Sequence, residues 1–303
     1  MMKKIVFSLA LIVAATLSAP AQILYKITGN GLQKPSFIIG TYHLAPVSFV
    51  DSIPGVKAAL ETAEQACGEV EISELTSNES VQKMQAAMML PEGQTLDKLL
   101  SADELSRLNA LLKDLLGVDL SNPMVAQQLG RMSPQGLSTQ LTVLMYLKKN
   151  PDFNPLSPFD GYFLQQLAQA GKPVTGFETI DFQIDVLFHG TPMEDQVKDL
   201  MCIVDNREWM EQMVIEDVVN AFFSQDLKAI EAAIELEMGN DCDSKPEDKD
   251  RLIYNRNANW LKKMPQMMSE KSTFFAVGIA HLVGEKGVLE GLRKAGYQVE
   301  GMK

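Results

Sequence analysis

The chain has 303 residues, 46% of them hydrophobic and 22% charged, with 39 acidic side chains against 27 basic ones and a formal charge of −12. Such an acidic surface gains nothing electrostatically by approaching nucleic acid or an anionic membrane, so both are excluded as expected partners. The length suits one large domain, or a core that carries a sizeable insertion.

Residues 1–21 read as a secretory signal. Lys3 and Lys4 form a basic n-region, residues 5–17 an apolar h-region and Ala19-Pro20-Ala21 a cleavage site, with Gln22 rather than a lipid-accepting cysteine next. The h-region is short of the roughly 20 apolar residues that span a bilayer. The mature protein is therefore expected to be soluble, periplasmic or secreted, with no stable membrane insertion. Loss of two lysines and no acid takes its charge from −12 to −14.

Residues 23–28 and 36–40 are predicted as strands, joined by the hairpin signal Gly29-Asn30-Gly31. Pro54 opens a helix to about residue 66. Residues 68–72 give the next strand, where Glu69 and Glu71 alternate with apolar neighbours. From about residue 78 to 264 the period is helical. Leu105, Leu108, Leu111, Leu112 and Leu115 mark one amphipathic helix, opened by a Ser101–Glu104 capping box. Residues 134–149 form another, and Ser157-Pro158 introduces a third that ends at Gly171. Residues 173–177 read as an interior strand, and helices follow over 179–188, 205–223, 227–236 and 246–263. The chain then returns to strand (273–277), helix (287–295) and strand (297–301). The expected class is α/β (α+β): a small mixed sheet built from both chain ends, with a large helical insertion over residues 78–264, in a single domain of residues 22–303.

Cys67, Cys202 and Cys242 allow at most one intramolecular bridge in an oxidising compartment. Cys202 and Cys242, both in the helical middle, are the expected pair, and Cys67 a core residue. No C-x-x-C spacing marks a zinc or redox motif.

Two of the three histidines share one frame: Gly40-Thr41-Tyr42-His43-Leu44 and Gly278-Ile279-Ala280-His281-Leu282. Each follows an apolar run that reads as a strand. The glycine lets backbones approach closely at the strand terminus, and the histidine three residues on is presented at the sheet edge, where α/β folds place ligands. Two imidazoles with one carboxylate make a metal site that leaves positions open for water and substrate. Glu71 is the first candidate for the carboxylate and Glu69 the second; the alternative is an edge strand with one solvated face. Arg256 either clamps a substrate carboxylate or oxyanion through its fixed fork of donors, or pairs with an acid. Glu178 either serves the site or complements a helix dipole with Asp181, and Asp160 reads as a helix-start residue. His189, before Gly190, is a helix C-terminal residue with no assigned chemistry. Met84, Met88 and Met89, and Met264, Met267 and Met268, are either helix packing or an adaptable groove for apolar peptide side chains.

The segments Leu24-Tyr25-Lys26-Ile27, both GxxH frames, Glu71 and Val283-Gly284-Glu285-Lys286-Gly287 resemble the TraB/GumN family, which includes Tiki-type proteases. Pro158-Phe159-Asp160, Gly176-Phe177-Glu178-Thr179, Gln183 and Tyr254-Asn255-Arg256-Asn257-Ala258-Asn259-Trp260 fit it too, so the resemblance spans nearly the whole mature chain. Tyr25 stands where tryptophan is usual, and Val283 where proline is. The resemblance implies a mixed α/β core related to erythromycin-esterase-like and ChaN-like proteins. It also implies a divalent metal, manganese or cobalt, held by His43, Glu71 and His281. Glu69 and Arg256 are then the expected catalytic groups, Glu178 and Asn257 the substrate-binding ones, and the substrate a peptide or protein. The membrane anchor of several members is missing, so membrane-tethered substrates are not expected. Two other readings stay open: a metal-free His/Glu esterase, and a protein that sequesters a peptide signal or haem without turnover.

Overall fold

The computed structural model describes residues 22–151, 153–154 and 159–303. The predicted signal segment and the Ser157-Pro158 helix start lie outside the described residues. Six strands form one mixed sheet: β1 (Leu24–Gly29), β2 (Ser36–Thr41), β3 (Gln65–Val70), β4 (Val174–Glu178), β5 (Thr273–Gly278) and β6 (Tyr297–Gly301), in the order β4-β3-β5-β2-β1-β6. β4, β3, β5 and β2 are mutually parallel, and β1 and β6 close one side antiparallel.

Burial explains this division. Every residue of β2 is buried, as are the first five of β5, which suits strands covered on both faces. Terminal β6 instead alternates buried Tyr297 and Val299 with exposed Gln298 and Glu300. The β1–β2 hairpin forms as predicted, with Gly29, Asn30 and Gly31 all at positive φ.

The helices, in chain order, are α1 (Val56–Thr62), α2 (Ile72–Thr76), α3 (Asn78–Ala87), α4 (Leu96–Leu99), α5 (Ala102–Leu116), α6 (Pro123–Gln128), α7 (Pro134–Lys149), α8 (Phe159–Gln169), α9 (Ile180–Ile184), α10 (Met193–Asp205), α11 (Arg207–Trp209), α12 (Val218–Phe223), α13 (Leu227–Ile234), α14 (Pro246–Lys249), α15 (Asn255–Glu270) and α16 (Val288–Lys294). α8 and α15 cover opposite faces of the sheet. Phe163 of α8 stacks on Phe274, whereas Trp260 of α15 stacks on Phe177, which in turn stacks on Phe275. Adjacent residues of one strand point to opposite faces.

A second core is mainly helical, centred on Leu108, Leu111 and Leu112 of α5, Leu137, Leu141 and Met145 of α7, and Leu200 of α10. Tyr42 and Phe223 pack against both cores, so the loop after β2 sits where they meet.

Several expectations change. The helix expected to reach residue 66 stops at Thr62, and β3 starts at Gln65, because Ala66 and Cys67 are buried between β4 and β5. β3 therefore ends at Val70, and Glu71 stands at the N-cap position of α2, with no side-chain capping bond, instead of closing the strand. The sheet does not come from the chain ends alone, since β4 enters it from the middle. The helix expected over 205–223 forms from Arg207 to Phe223, π-helical over Met210–Asp217, and α10, which ends at Asp205, precedes it unpredicted. The last long helix runs through Pro265 to Glu270 and is preceded by a π-helical stretch, Asp250–Tyr254. The Cys202–Cys242 disulfide forms, and Cys67 is free and buried. Met264 and Met268 are core residues, the packing reading; Met88, Met89 and Met132 line a surface concavity of about 610 Å³.

Candidate functional site

Four parallel strands deliver their C-terminal ends to one edge, the place where open α/β sheets bind ligands. The two GxxH frames meet there. β2 and β5 are neighbours, with Gly40 opposite Val277 and Thr41 opposite Gly278. A Cβ on Gly40 would lie 2.0 Å from Ile279 Cδ1 and 3.0 Å from Leu282 Cδ1, so only glycine lets one frame pack on the other. The Gly278 N–H donates to Glu69 Oε1 at 2.7 Å, and a Cβ there would crowd the same oxygen at 3.2 Å.

At the centre lies Arg256, on the first turn of α15, with a side chain only 7% exposed. Its Nε donates to Glu178 Oε1 at 2.9 Å, and its Nη2 to Glu69 Oε2 at 2.6 Å and to Glu178 Oε2 at 2.8 Å. Its Nη1 donates to the Leu252 carbonyl at 3.0 Å and faces His281 Nε2 at 3.1 Å. The guanidinium is thus saturated by the protein. Trp260 Nε1 and Gln183 Nε2 add hydrogen bonds to Glu178, and Gln183 also bonds Glu69. Burial alone would push the Glu69 carboxyl up; the His281 ring, Arg256 and the Gly278 N–H together hold it below the usual range.

The two histidines differ. His281 is buried, which pushes it down to about 4 and leaves it uncharged at neutral pH. Its Nδ1 bonds Asn257 Oδ1 at 2.7 Å. His43 is 83% exposed, and its Nδ1 sits 2.8 Å from Asp160 Oδ2. That carboxylate pushes the imidazole up to about 9, with a smaller lift from Glu69 and an opposing effect from Arg256. His43, Glu69, Arg256 and His281 therefore belong to one electrostatic cluster.

Of the residues expected at the site, His43, His281, Glu69, Arg256, Glu178 and Asn257 come together. Glu178 and Asn257, expected to bind substrate, have their bonding capacity taken up inside the protein; Asn257 Nδ2 donates to the carbonyls of His281 and Lys286. Glu71 accepts a hydrogen bond from Ser73 at 2.7 Å. His189 pairs with Asp185 within its own helical turn. Sequence reasoning missed the roles of Asp160, Gln183 and Trp260. Each lies in a segment that carries the family resemblance, which was the available signal.

Among the described residues, no three His, Cys, Asp or Glu side chains are arranged to hold a metal ion. The donor chemistry nevertheless suits one in part. Both imidazoles are anchored through Nδ1, as metal-ligating histidines usually are, and Glu69 Oε1 lies 3.9 Å from His281 Nε2. Against this, Arg256 already occupies the His281 lone pair.

A sequence profile described as the TraB/PrgY/gumN family matches residues 23–301. The chain is also similar to a protein of Danio rerio named "Metalloprotease TIKI2", at 24% identity over 88% of this chain. The match spans 58% of the length of that curated relative. No solved structure matches the chain.

Proposed function

The chain belongs to the TraB/PrgY/gumN family, and from that premise we propose that it is an exported, metal-dependent hydrolase of peptide bonds. The observation that carries the reading is the meeting of both GxxH frames, Glu69 and Arg256 at the C-terminal ends of adjacent parallel strands. Similarity to a protein named as a metalloprotease supports the reaction class. The signal-like residues 1–21 support export, and no described helix is long and apolar enough to cross a membrane.

His43, His281 and Glu69 would hold a divalent ion, manganese or cobalt, with Glu69 taking the ligand role expected of Glu71. When bound, such an ion supplies a water acidic enough to attack a carbonyl near neutral pH. Asp160 and Asn257 orient the two imidazoles. Arg256 helps to keep Glu69 ionised and pairs with Glu178, and holding an ion requires it to release the His281 lone pair. That contact favours a second reading, metal-free hydrolysis in which His43, held by Asp160, moves the proton.

The test is a pooled peptide digest read by mass spectrometry, with elemental analysis of protein purified without chelator. The first reading expects products, about one metal per chain, and loss of both in His43→Ala and His281→Ala. Products that survive chelation would support the metal-free reading. Full metal loading without cleavage of any peptide would overturn the hydrolase.

A further inference from the structure

We propose that Asn257 is a positioning residue that fixes the tautomer of His281, so that Nδ1 carries the proton and Nε2 a lone pair facing the site.

Two constraints reach this assignment from opposite edges of the ring. Arg256 has only N–H donors, so its Nη1 at 3.1 Å from Nε2 requires that nitrogen to accept. On the other edge, the orientation of the Asn257 amide is set by its neighbours. Its Nδ2 group lies 3.2 Å from the His281 carbonyl and 3.0 Å from the Lys286 carbonyl, both of which can only accept. The NH2 must therefore point at the carbonyls and the amide oxygen at the ring, where Oδ1 lies 2.7 Å from Nδ1. That oxygen can only accept, so Nδ1 must donate. Asn257 is 1% exposed, which rules out direct contact with a substrate.

The same residue also binds together the 3₁₀ turn Ile279–His281 and the loop at Lys286. His43, in the equivalent frame, has the Asp160 carboxylate in the corresponding place. One frame thus anchors its imidazole with an anion and the other with a neutral amide. An amide offers orientation without a charge that would pull a second proton onto the ring.

The test is a long-range proton–nitrogen correlation spectrum of the full 15N-labelled chain. It contains three histidines, and His43→Gln and His189→Gln assign their rings. The expected result is a protonated Nδ1 and an unprotonated, pyridine-like Nε2 for His281 in the wild type. Asn257→Leu leaves Arg256 as the one remaining constraint and should turn that signature into a mixture of tautomers, whereas Asn257→Asp sets a carboxylate against Nδ1–H and should pull a second proton onto Nε2. The accompanying drop in kcat for Asn257→Leu should be roughly 10- to 100-fold with KM unchanged. An Nε2–H signature in the wild type would overturn the proposal without any variant having to fold. So would an unchanged signature in a folded Asn257→Leu protein. The kinetic arm rests on the hydrolase reading; a chain without hydrolytic activity would end that reading and leave the spectrum to decide this one.

Discussion

Arg256 shows how one residue can carry both stability and chemistry. It is the shared counter-ion of Glu69 and Glu178, two carboxylates on neighbouring strands. Removing one partner of a buried ion pair leaves the other charges uncompensated, so Arg256→Met should cost about 3–5 kcal/mol in denaturant unfolding. Arg256→Lys should recover only part of this, because one ammonium cannot reproduce the fork that joins Glu69, Glu178 and His281. His43 is the opposite case. Its side chain is exposed, so the solvent-screened pair with Asp160 should contribute only about 1 kcal/mol or less at neutral pH, which His43→Gln removes. Hydrolysis should nonetheless fall by about 10²- to 10⁴-fold if His43 serves the reaction. The sign of its pH effect follows from the raised pKa. Asp160 and Glu69 lift it and Arg256 opposes them, with the result near 9 against an ordinary 6.5. In metal-free protein the pair's contribution is full below 6.5 and fades as pH rises through about 9. Melting curves from pH 6 to 10 should show a decline that His43→Gln flattens.

Among the elements, those specified by local chemistry match the sequence best. α5 begins at the predicted capping box, in which Ser101 and Glu104 satisfy each other's backbone N–H groups. Ser101→Ala should cost about 1 kcal/mol in thermal or denaturant unfolding. α15 was harder to read because Pro265 looks like a terminator. A proline in a helix interior removes one hydrogen bond, yet buried Trp260, Met264 and Met268 hold the helix against the sheet on both sides of it. β3 was misread for a similar reason. Ala66 and Cys67 have no strong strand pattern of their own, and their pairing with β4 and β5 decides the element. Burial there pushes the Cys67 thiol up to about 12. A thiol-alkylating reagent at pH 8 should leave native Cys67 unlabelled and modify it only after unfolding.

At the scale of the whole molecule, two cores share one boundary, and the His43 loop lies on it through Tyr42. The Cys202–Cys242 bridge closes a loop of 40 residues beside the helical core. Its removal should lower stability by about 3–4 kcal/mol if the chain-entropy argument holds, read as a shift in denaturant midpoint between the wild type and a Cys202→Ser/Cys242→Ser protein. The fold class, the hairpin, the disulfide and the kinship of the two GxxH frames were all legible from residues alone. Each rests on composition, on short-range period, or on a motif repeated within the sequence.

The sequence by itself determined which residues were available for chemistry and that two histidines share one GxxH frame. Only the tertiary structure decided what each one touches. His43 meets Asp160 across 117 residues and Arg256 meets Glu69 across 187, so no local pattern ties either pair together. Propensity and periodicity act over a turn or two of chain. Ion-pair partners are set by which strands the sheet places side by side and which helices cover it, and that order brings β4 in from the middle of the chain. The same packing ends β3 at Val70, which makes Glu69 a neighbour of both histidines and turns Glu71 toward Ser73.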